Sequence, residues 1–322
     1  MSELYPAIKP YDTLMLSVSH GHTLFVEQTG NPKGIPVLFL HGGPGAGMGQ
    51  DYRRFFDPRQ YRIIGFDQRG CGQSKPFGSI QNNSSELLVE DVFAIQQHLK
   101  IEQWLLFGGS WGSTLALLVA IANPKAVSGL ILRGIFLARQ QDYDWFLADT
   151  GGAAQLFSDY YQEFLQPVKD QLKHTSLVEA YHDLFVSDDE VSKMAAVKAW
   201  YLWEARISRL HAQFEEEHLI KDIHGAISLA ILECHYVKNK CFISENFILK
   251  HVDKIKHIPT NIIHGRYDSV CKLEAAYSLH QVMDNSQLTI VPESGHSAFE
   301  AKIAAALCIA TKAMANFLLE AK

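Results

Sequence analysis

The sequence predicts an α/β protein: a mostly parallel central sheet with helices on both faces, interrupted by one helical insert. Three observations lead there. Short apolar runs rich in β-branched and aromatic residues alternate with helix-length segments of 3.6-residue period. Between about 136 and 248 the strand-like runs stop, and aromatic helix-period segments such as Trp200-Tyr201-Leu202-Trp203 replace them. The chain has 322 residues, 47% of them hydrophobic and 20% charged, a length that suits one large domain carrying an insert or two ordinary domains.

Taken in order, residues 15–18 and 23–27 flank the turn Ser19-His20-Gly21-His22 and read as a hairpin. Residues 36–40 form an apolar run that ends abruptly in glycines, a strand feeding a tight loop. Residues 61–66 and 103–107 are two further strands, and Leu88, Val92, Ile95 and Leu99 mark one face of the helix between them. A helix over 113–122 and a strand around 130–132 continue the alternation. The rhythm resumes after the insert with a strand at 261–264, a helix near 274–282, a strand at 288–291 and a terminal helix through Leu319. The expected division is therefore a catalytic domain of residues 1–136 and 249–322 and a helical cap of 137–248.

Composition narrows the function. A formal net charge of -6, with Lys and Arg scattered, offers no electrostatic footprint for nucleic acid. Five cysteines, far apart and without a C-x-x-C pair, argue against a disulfide framework or a structural zinc site, so a reducing cytoplasm is expected. Neither a signal peptide nor a membrane span is expected, because the first residues lack a basic-then-apolar pattern and Asn123, Pro124 and Lys312 interrupt the most apolar stretches.

The sharpest chemical signal is Gly108-Gly109-Ser110-Trp111-Gly112, between a strand and a helix. It fits the G-x-S-x-G elbow of the α/β-hydrolase fold, in which small residues let the chain bend sharply and leave the serine hydroxyl exposed at a helix N-terminus. Alone it is a glycine-rich turn; its flanks make Ser110 the candidate nucleophile. Upstream, His41-Gly42-Gly43-Pro44-Gly45 follows the 36–40 strand, where this fold places the second oxyanion donor, so Gly43 and Trp111 are the candidate backbone donors. A phosphate cradle is disfavoured, since no Lys-Ser/Thr pair follows and the G-x-G-x-x-G spacing is absent.

The fold demands the order Ser, Asp, His, each acid–base partner lying after a strand. Asp268 follows the 261–264 strand and His296 the 288–291 strand. The expected chemistry is acyl transfer: His296 takes the Ser110 proton and returns it to the leaving group, while Asp268 fixes the imidazole tautomer. Asp67 precedes the serine, so it and Arg69 are assigned to structural pairing.

The chain resembles the prolyl aminopeptidases, or proline iminopeptidases, serine exopeptidases that release an N-terminal proline. The likeness runs over nearly the whole chain. It is carried by Tyr5-Pro6, Pro10-Tyr11-Asp12, the His41 to Gly45 loop, Asp67-Gln68-Arg69-Gly70-Cys71-Gly72, Gly108 through Thr114, Leu132-Arg133-Gly134-Ile135-Phe136, His264-Gly265-Arg266-Tyr267-Asp268 and Gly295-His296-Ser297. It departs at Val270-Cys271-Lys272, where the family usually has Val-Cys-Pro, and at Trp203-Glu204-Ala205, where it usually has Trp-Glu-Gly; residues 148–192 match more weakly. The resemblance implies a helical cap, no metal or cofactor, and cap carboxylates that bind the substrate's charged terminal nitrogen. By position these are Glu204 and Glu233, and paired carboxylates in a poorly hydrated aromatic pocket suit a cationic amine. Phe136, with Trp145 and Trp203, is expected to help form the ring pocket, while Glu215, Glu216 and Glu217 read as a solvated helix face. The expected partners are peptides with a free N-terminal proline; neither nucleic acid nor membrane is expected, and the oligomeric state stays open. The alternatives are an aminopeptidase with another small or hydrophobic preference, a small-molecule esterase, and a hydrolase-fold binding protein without catalysis.

Overall fold

The computed structural model describes residues 4–211 and 222–320. Eight strands form one sheet in the order β1-β2-β4-β3-β5-β6-β7-β8. These are β1 (Asp12–Ser17), β2 (Thr23–Gly30), β3 (Ile35–Leu40), β4 (Tyr61–Phe66), β5 (Trp104–Ser110), β6 (Val127–Ile135), β7 (Thr260–Gly265) and β8 (Ser286–Val291). β1 and β2 form the expected hairpin, pairing antiparallel with Ser17 opposite Thr23. β2 is also antiparallel to β4, and every later pair is parallel.

The central strands are apolar throughout because both sheet faces are covered. On β5, Trp104 and Leu106 join one core, with Leu38, Ile64 and Leu132, under α1 (Ser85–His98) and α2 (Trp111–Ala122). Leu105 and Phe107 point the other way, into a second core with Val37, Ile63, Ile131 and residues Ile303, Leu307 and Met314. Those last three belong to the terminal helix, Ala301–Glu320, which is apolar and long enough to cross a membrane but whose buried face packs on this sheet.

Between β6 and β7 the chain is helical: α3 (Gln140–Leu147), α4 (Gly152–Leu156), α5 (Ser158–Leu165), α6 (Leu177–Phe185), α7 (Glu190–Ile207), α8 (Ile223–Lys238) and α9 (Phe247–Lys250). Asp189 caps α7 by accepting from the Val191 and Ser192 amides, and Asp222 caps α8 through Gly225, the side-chain acceptors that orphan first-turn amides require. α5 to α8 build a third core around Phe164, Tyr181, Trp200 and Trp203. Glu215, Glu216 and Glu217 lie outside the described residues. After β7 come α10 (Leu273–Val282) and, last, α11 (Ala301–Glu320).

β3 is flanked by β4 and β5, so the chain turns one way along the sheet after β3 and the other way after β4. Such a switch point opens a crevice at the carboxyl ends of the strands. Here it lies beside the loop after β3 and the end of β5, with Leu40 in register with Gly108.

Candidate active site

β5 runs through Gly108 and Gly109 to Ser110, and α2 starts at Trp111 without an intervening loop. The bend falls on Ser110, at φ 56° and ψ -128°. A non-glycine residue held there costs about 1–3 kcal/mol. The glycines are steric necessities: a Cβ on Gly112 would sit 2.0 Å from the Leu40 carbonyl oxygen, and one on Gly108 2.1 Å from that of Gly112. Ser113 Oγ fastens the elbow by donating to the Ser110 carbonyl at 2.7 Å and accepting from the Phe136 amide at 3.3 Å.

Asp268 lies three residues past β7 and His296 five past β8. His296 Nδ1 donates to Asp268 Oδ2 at 2.7 Å, and Oδ1 of Asp268 accepts the Val270 and Cys271 amides at 3.0 and 2.8 Å. Burial pushes the Asp268 carboxyl up, but the His296 charge and hydrogen bond, with His264 and the Cys271 amide, hold it below the ordinary carboxylate range. Burial lowers the His296 imidazole despite Asp268, and Arg133 lowers it further. The histidine loop is anchored from the helical region, since the His296 and Ser297 amides both donate to the Ser208 carbonyl.

Arg133, on β6, places Nη1 3.0 Å from His296 Nε2 and 2.9 Å from the His296 carbonyl oxygen. A guanidinium only donates, so Nε2 is an acceptor and the imidazole is the neutral tautomer with its proton toward Asp268. Among the described residues no hydrogen bond joins Ser110 to His296. Glycine makes room on both sides: a Cβ on Gly109 would lie 2.4 Å from Arg133 Nη2, and one on Gly134 2.8 Å from His296 Cε1.

The loop after β3 packs against the elbow, with a Cβ on Gly42 reaching to 3.4 Å of Ser110 Cβ. Gly43 has φ 101°, a conformation suited to glycine. Gln68 ties the loop to α2: its Nε2 donates to the His41 carbonyl at 2.9 Å and its Oε1 accepts from Trp111 Nε1 at 2.9 Å. Burial takes the His41 imidazole down to about 4; Nδ1 donates to the Gly42 carbonyl and Nε2 accepts the Gln68 amide. His41, Asp67 and Cys71 are close enough to share a metal ion, but the Gln68, Met48 and Gln73 amides already occupy the acceptors of His41 and Asp67. Asp67 and Arg69 are structural as expected, though not as a pair with each other. Arg69 grips Asp91 through Nε and Nη2 at 2.6 and 2.7 Å.

Ser110, only 8% exposed, opens into a narrow cavity of about 30 Å³ that Gly43, Phe136, Tyr143, Phe146 and Glu233 help to line. Tyr236 and Cys271 complete the wall beside Ser110. Phe136 and Tyr143 meet edge to face, centroids 5.6 Å apart. Trp145 and Trp203 do not belong to this wall. Trp145 lies in a neighbouring groove and donates to the Ser269 carbonyl, whereas Trp203 packs on Phe164 inside the helical core and is 1% exposed.

α7 carries Glu204 and α8 carries Glu233, and those two helices pack together. Glu233 Oε2 accepts from Trp200 Nε1 at 2.6 Å, while the buried Glu204 Oε2 has no partner among the described residues. Burial pushes the Glu204 carboxyl up to about 7 against the pull of Arg133. Burial and the Glu204 charge drive Glu233 well above its ordinary value. A pair of this kind holds a proton when empty and gives it up to a cation.

The sequence matches the alpha/beta hydrolase fold family over residues 35–302. It is 45% identical over 312 residues to the proline iminopeptidase of Arabidopsis thaliana, covering 97% of this chain and 82% of that protein. Its identity to the proline iminopeptidase of Xanthomonas citri is 44% over 316 residues, covering 98% and 100%. The chain belongs to the proline iminopeptidase family. Among solved structures, the proline iminopeptidase of Mycobacterium smegmatis superposes with a TM-score of 0.66 at 16% identity over 97% of this chain and all of that one. An esterase from Rhodococcus reaches 0.63 at 18% identity, covering 94% and 98%. At that identity the two superpositions speak to the fold. Within the family's architecture, Arg133 and Gln68 are two polar residues that the elbow and triad order do not point to. Both lie in stretches that carry the resemblance, Gln68 between Asp67 and Arg69 and Arg133 between Leu132 and Gly134, but nothing in chain order marks what they touch.

Proposed function

We propose that this chain is a serine exopeptidase that releases proline from the N-terminus of peptides. Ser110 Oγ attacks the prolyl carbonyl carbon as its proton passes to His296 Nε2, and the Gly43 and Trp111 amides hold the oxyanion. Collapse breaks the C–N bond, and the departing amine takes the proton from His296. Water, deprotonated by the same imidazole, then cleaves the prolyl ester, freeing proline and restoring the Ser110 hydroxyl. Glu204 and Glu233 receive the substrate's ring ammonium, and Phe136 packs on the ring.

One observation carries this reading: Glu233 lines the cavity that opens on the elbow serine, and Glu204, whose charge acts on Glu233, keeps a buried oxygen with no partner among the described residues. A general esterase has no need of two carboxylates whose burial opposes their ionisation. The helices between β6 and β7 act as the cap, residues 137–248, over a catalytic domain of 1–136 and 249–322. The five buried, unbridged cysteines support a reducing cytoplasm as its location. Turnover of the arylamides of proline, hydroxyproline, alanine and leucine, with N-acetylproline arylamide as control, tests the proposal. Preference for proline with no turnover of the acetylated form is expected; equal rates on the free and acetylated substrates would overturn it.

A further inference from the structure

The imidazole nitrogen that must accept the Ser110 proton is already taken, by Arg133 Nη1 at 3.0 Å. Two other observations bear on how it is released. Arg133 Nε is buried and unpartnered, and no carboxylate forms a salt bridge with the guanidinium among the described residues, so its hydrogen bonds there are the two Nη1 contacts while its plane rests against Gly109. Arg133 also borders a second cavity of about 150 Å³, which Gly42, Gly109, Ala298 and Phe299 help to line, and which gives the guanidinium somewhere to go. Glu204 is a carboxylate whose charge acts on Arg133, and its own Oε2 lacks a partner.

We propose that Arg133 is a positioning residue that gates the catalytic base: it occupies His296 Nε2 in the free enzyme and withdraws into the cavity beside Gly109 when a cationic amine reaches Glu204. The reasoning is electrostatic. An ammonium seated at Glu204 brings a positive charge beside the guanidinium and repels it across a poorly hydrated site, whereas an empty or uncharged site leaves Arg133 where it is. Nε2 then faces Ser110, so the serine is activated only when a free N-terminus is in place. This gate rests on the reading of Glu204 as the ammonium ligand.

The test uses pyrrolidine, a cation at neutral pH that has the substrate's ring but no carbonyl, and diisopropyl fluorophosphate, which carries no amine. Phosphorylation of Ser110 forms an O–P bond and expels fluoride while His296 takes the proton, so its rate reports the freedom of Nε2. Pyrrolidine should accelerate labelling of the wild type by about tenfold or more, the worth of a charge-assisted hydrogen bond. Arg133→Met should label fast without pyrrolidine and ignore it. Glu204→Gln, a variant that keeps the wild-type shape, should label slowly with or without it. The gate is overturned if pyrrolidine slows or leaves unchanged the wild-type rate, or if Glu204→Gln still responds. It is equally overturned if a folded Arg133→Met labels at the unstimulated wild-type rate. Proline arylamide turnover on the same preparations separates the two ideas. Turnover that is lost in Glu204→Gln, with no effect of pyrrolidine on labelling, removes the gate and leaves the substrate assignment standing. Absence of turnover in the wild type removes both.

Discussion

Replacing Glu204 by glutamine should make stability less dependent on pH, and the size of the change follows from the burial of that carboxyl. Its ordinary value is 4.5 and burial raises it to about 7, with Arg133 opposing. For an acid whose folded value lies above its unfolded value, the folded state keeps a proton that the unfolded chain has lost. Stability is therefore highest below 4.5, falls as pH rises to about 7, and is level above that. At about 1.4 kcal/mol for each tenfold step, ionising Glu204 in the folded protein costs about 3.5 kcal/mol, and roughly 2–3 kcal/mol once solvent screening of this partly exposed residue is allowed for. Glutamine cannot titrate. It introduces an amide whose own burial cost does not change with pH, so that cost cancels when the variant is compared with the wild type at two pH values. Urea denaturation of both proteins at pH 5 and pH 8, without substrate, measures the difference. The stability gap should move by about 2–3 kcal/mol in favour of the glutamine variant between those pH values. A gap that stays constant would mean that Glu204 lies on a solvated helix face, and the ammonium site would lose its physical basis.

Other outcomes follow from the same geometry. The acid limb of Ser110 labelling by a fluorophosphonate, which carries no amine and so does not call on Glu204, should fall below pH 6.5, the ordinary imidazole value, because burial and Arg133 both lower His296; a limb at or above that pH would contradict the buried neutral base. Gly112→Ala should abolish soluble expression or lower stability by more than about 3 kcal/mol, since its Cβ meets the Leu40 carbonyl oxygen, and a wild-type melting temperature would refute the tight elbow. Gln68→Ala should reduce kcat by roughly tenfold to a hundredfold with little change in KM, because it releases the loop that carries Gly43 from Trp111; an unchanged kcat would show that the clamp is dispensable. Glu233→Gln should raise KM for proline arylamide while leaving labelling of Ser110 by a fluorophosphonate intact, and loss of labelling would move Glu233 from recognition to chemistry.

Much of the fold could be read from the sequence because the central strands are covered on both faces and so stand out as short apolar runs. The 61–66 strand coincides with β4, and the hairpin and the α10 helix lie within a few residues of their predicted spans. The errors have local causes. Glycines made β5 look finished at Phe107, yet pairing to β3 and β6 carries it through Gly108 and Gly109 to Ser110. α2 begins at Trp111 instead of Ser113, since the elbow turns from strand to helix within one residue. β6 is nine residues long, not three, because Gly129, Arg133 and Gly134 break the apolar pattern that marks a strand.

Side-chain direction was harder to read than position. Ser110, Asp268 and His296 could be picked from chain order, and Glu204 and Glu233 from a resemblance. Trp145 and Trp203 could not be placed, because an aromatic ring at helical spacing serves a cavity wall and a helical core equally well. Arg133 stood in a stretch that carries the resemblance, just past the expected 130–132 strand, with nothing in the sequence to say which side chain it meets. Its contact with His296 depends on Gly109 and Gly134, which are distant from His296 in sequence and become neighbours only when β5, β6 and the loop after β8 are brought side by side.

The account depends above all on a serine activated by a histidine that Asp268 orients. Its most direct test is peptide mapping by mass spectrometry of the fluorophosphonate adduct, with rates compared in wild type, His296→Ala, Asp268→Asn and Asp67→Asn. One adduct on Ser110 is expected, formed at least about a thousandfold more slowly without His296, markedly more slowly in Asp268→Asn and at near-wild-type rate in Asp67→Asn. An adduct on another residue, or a rate on Ser110 indifferent to His296, would contradict it.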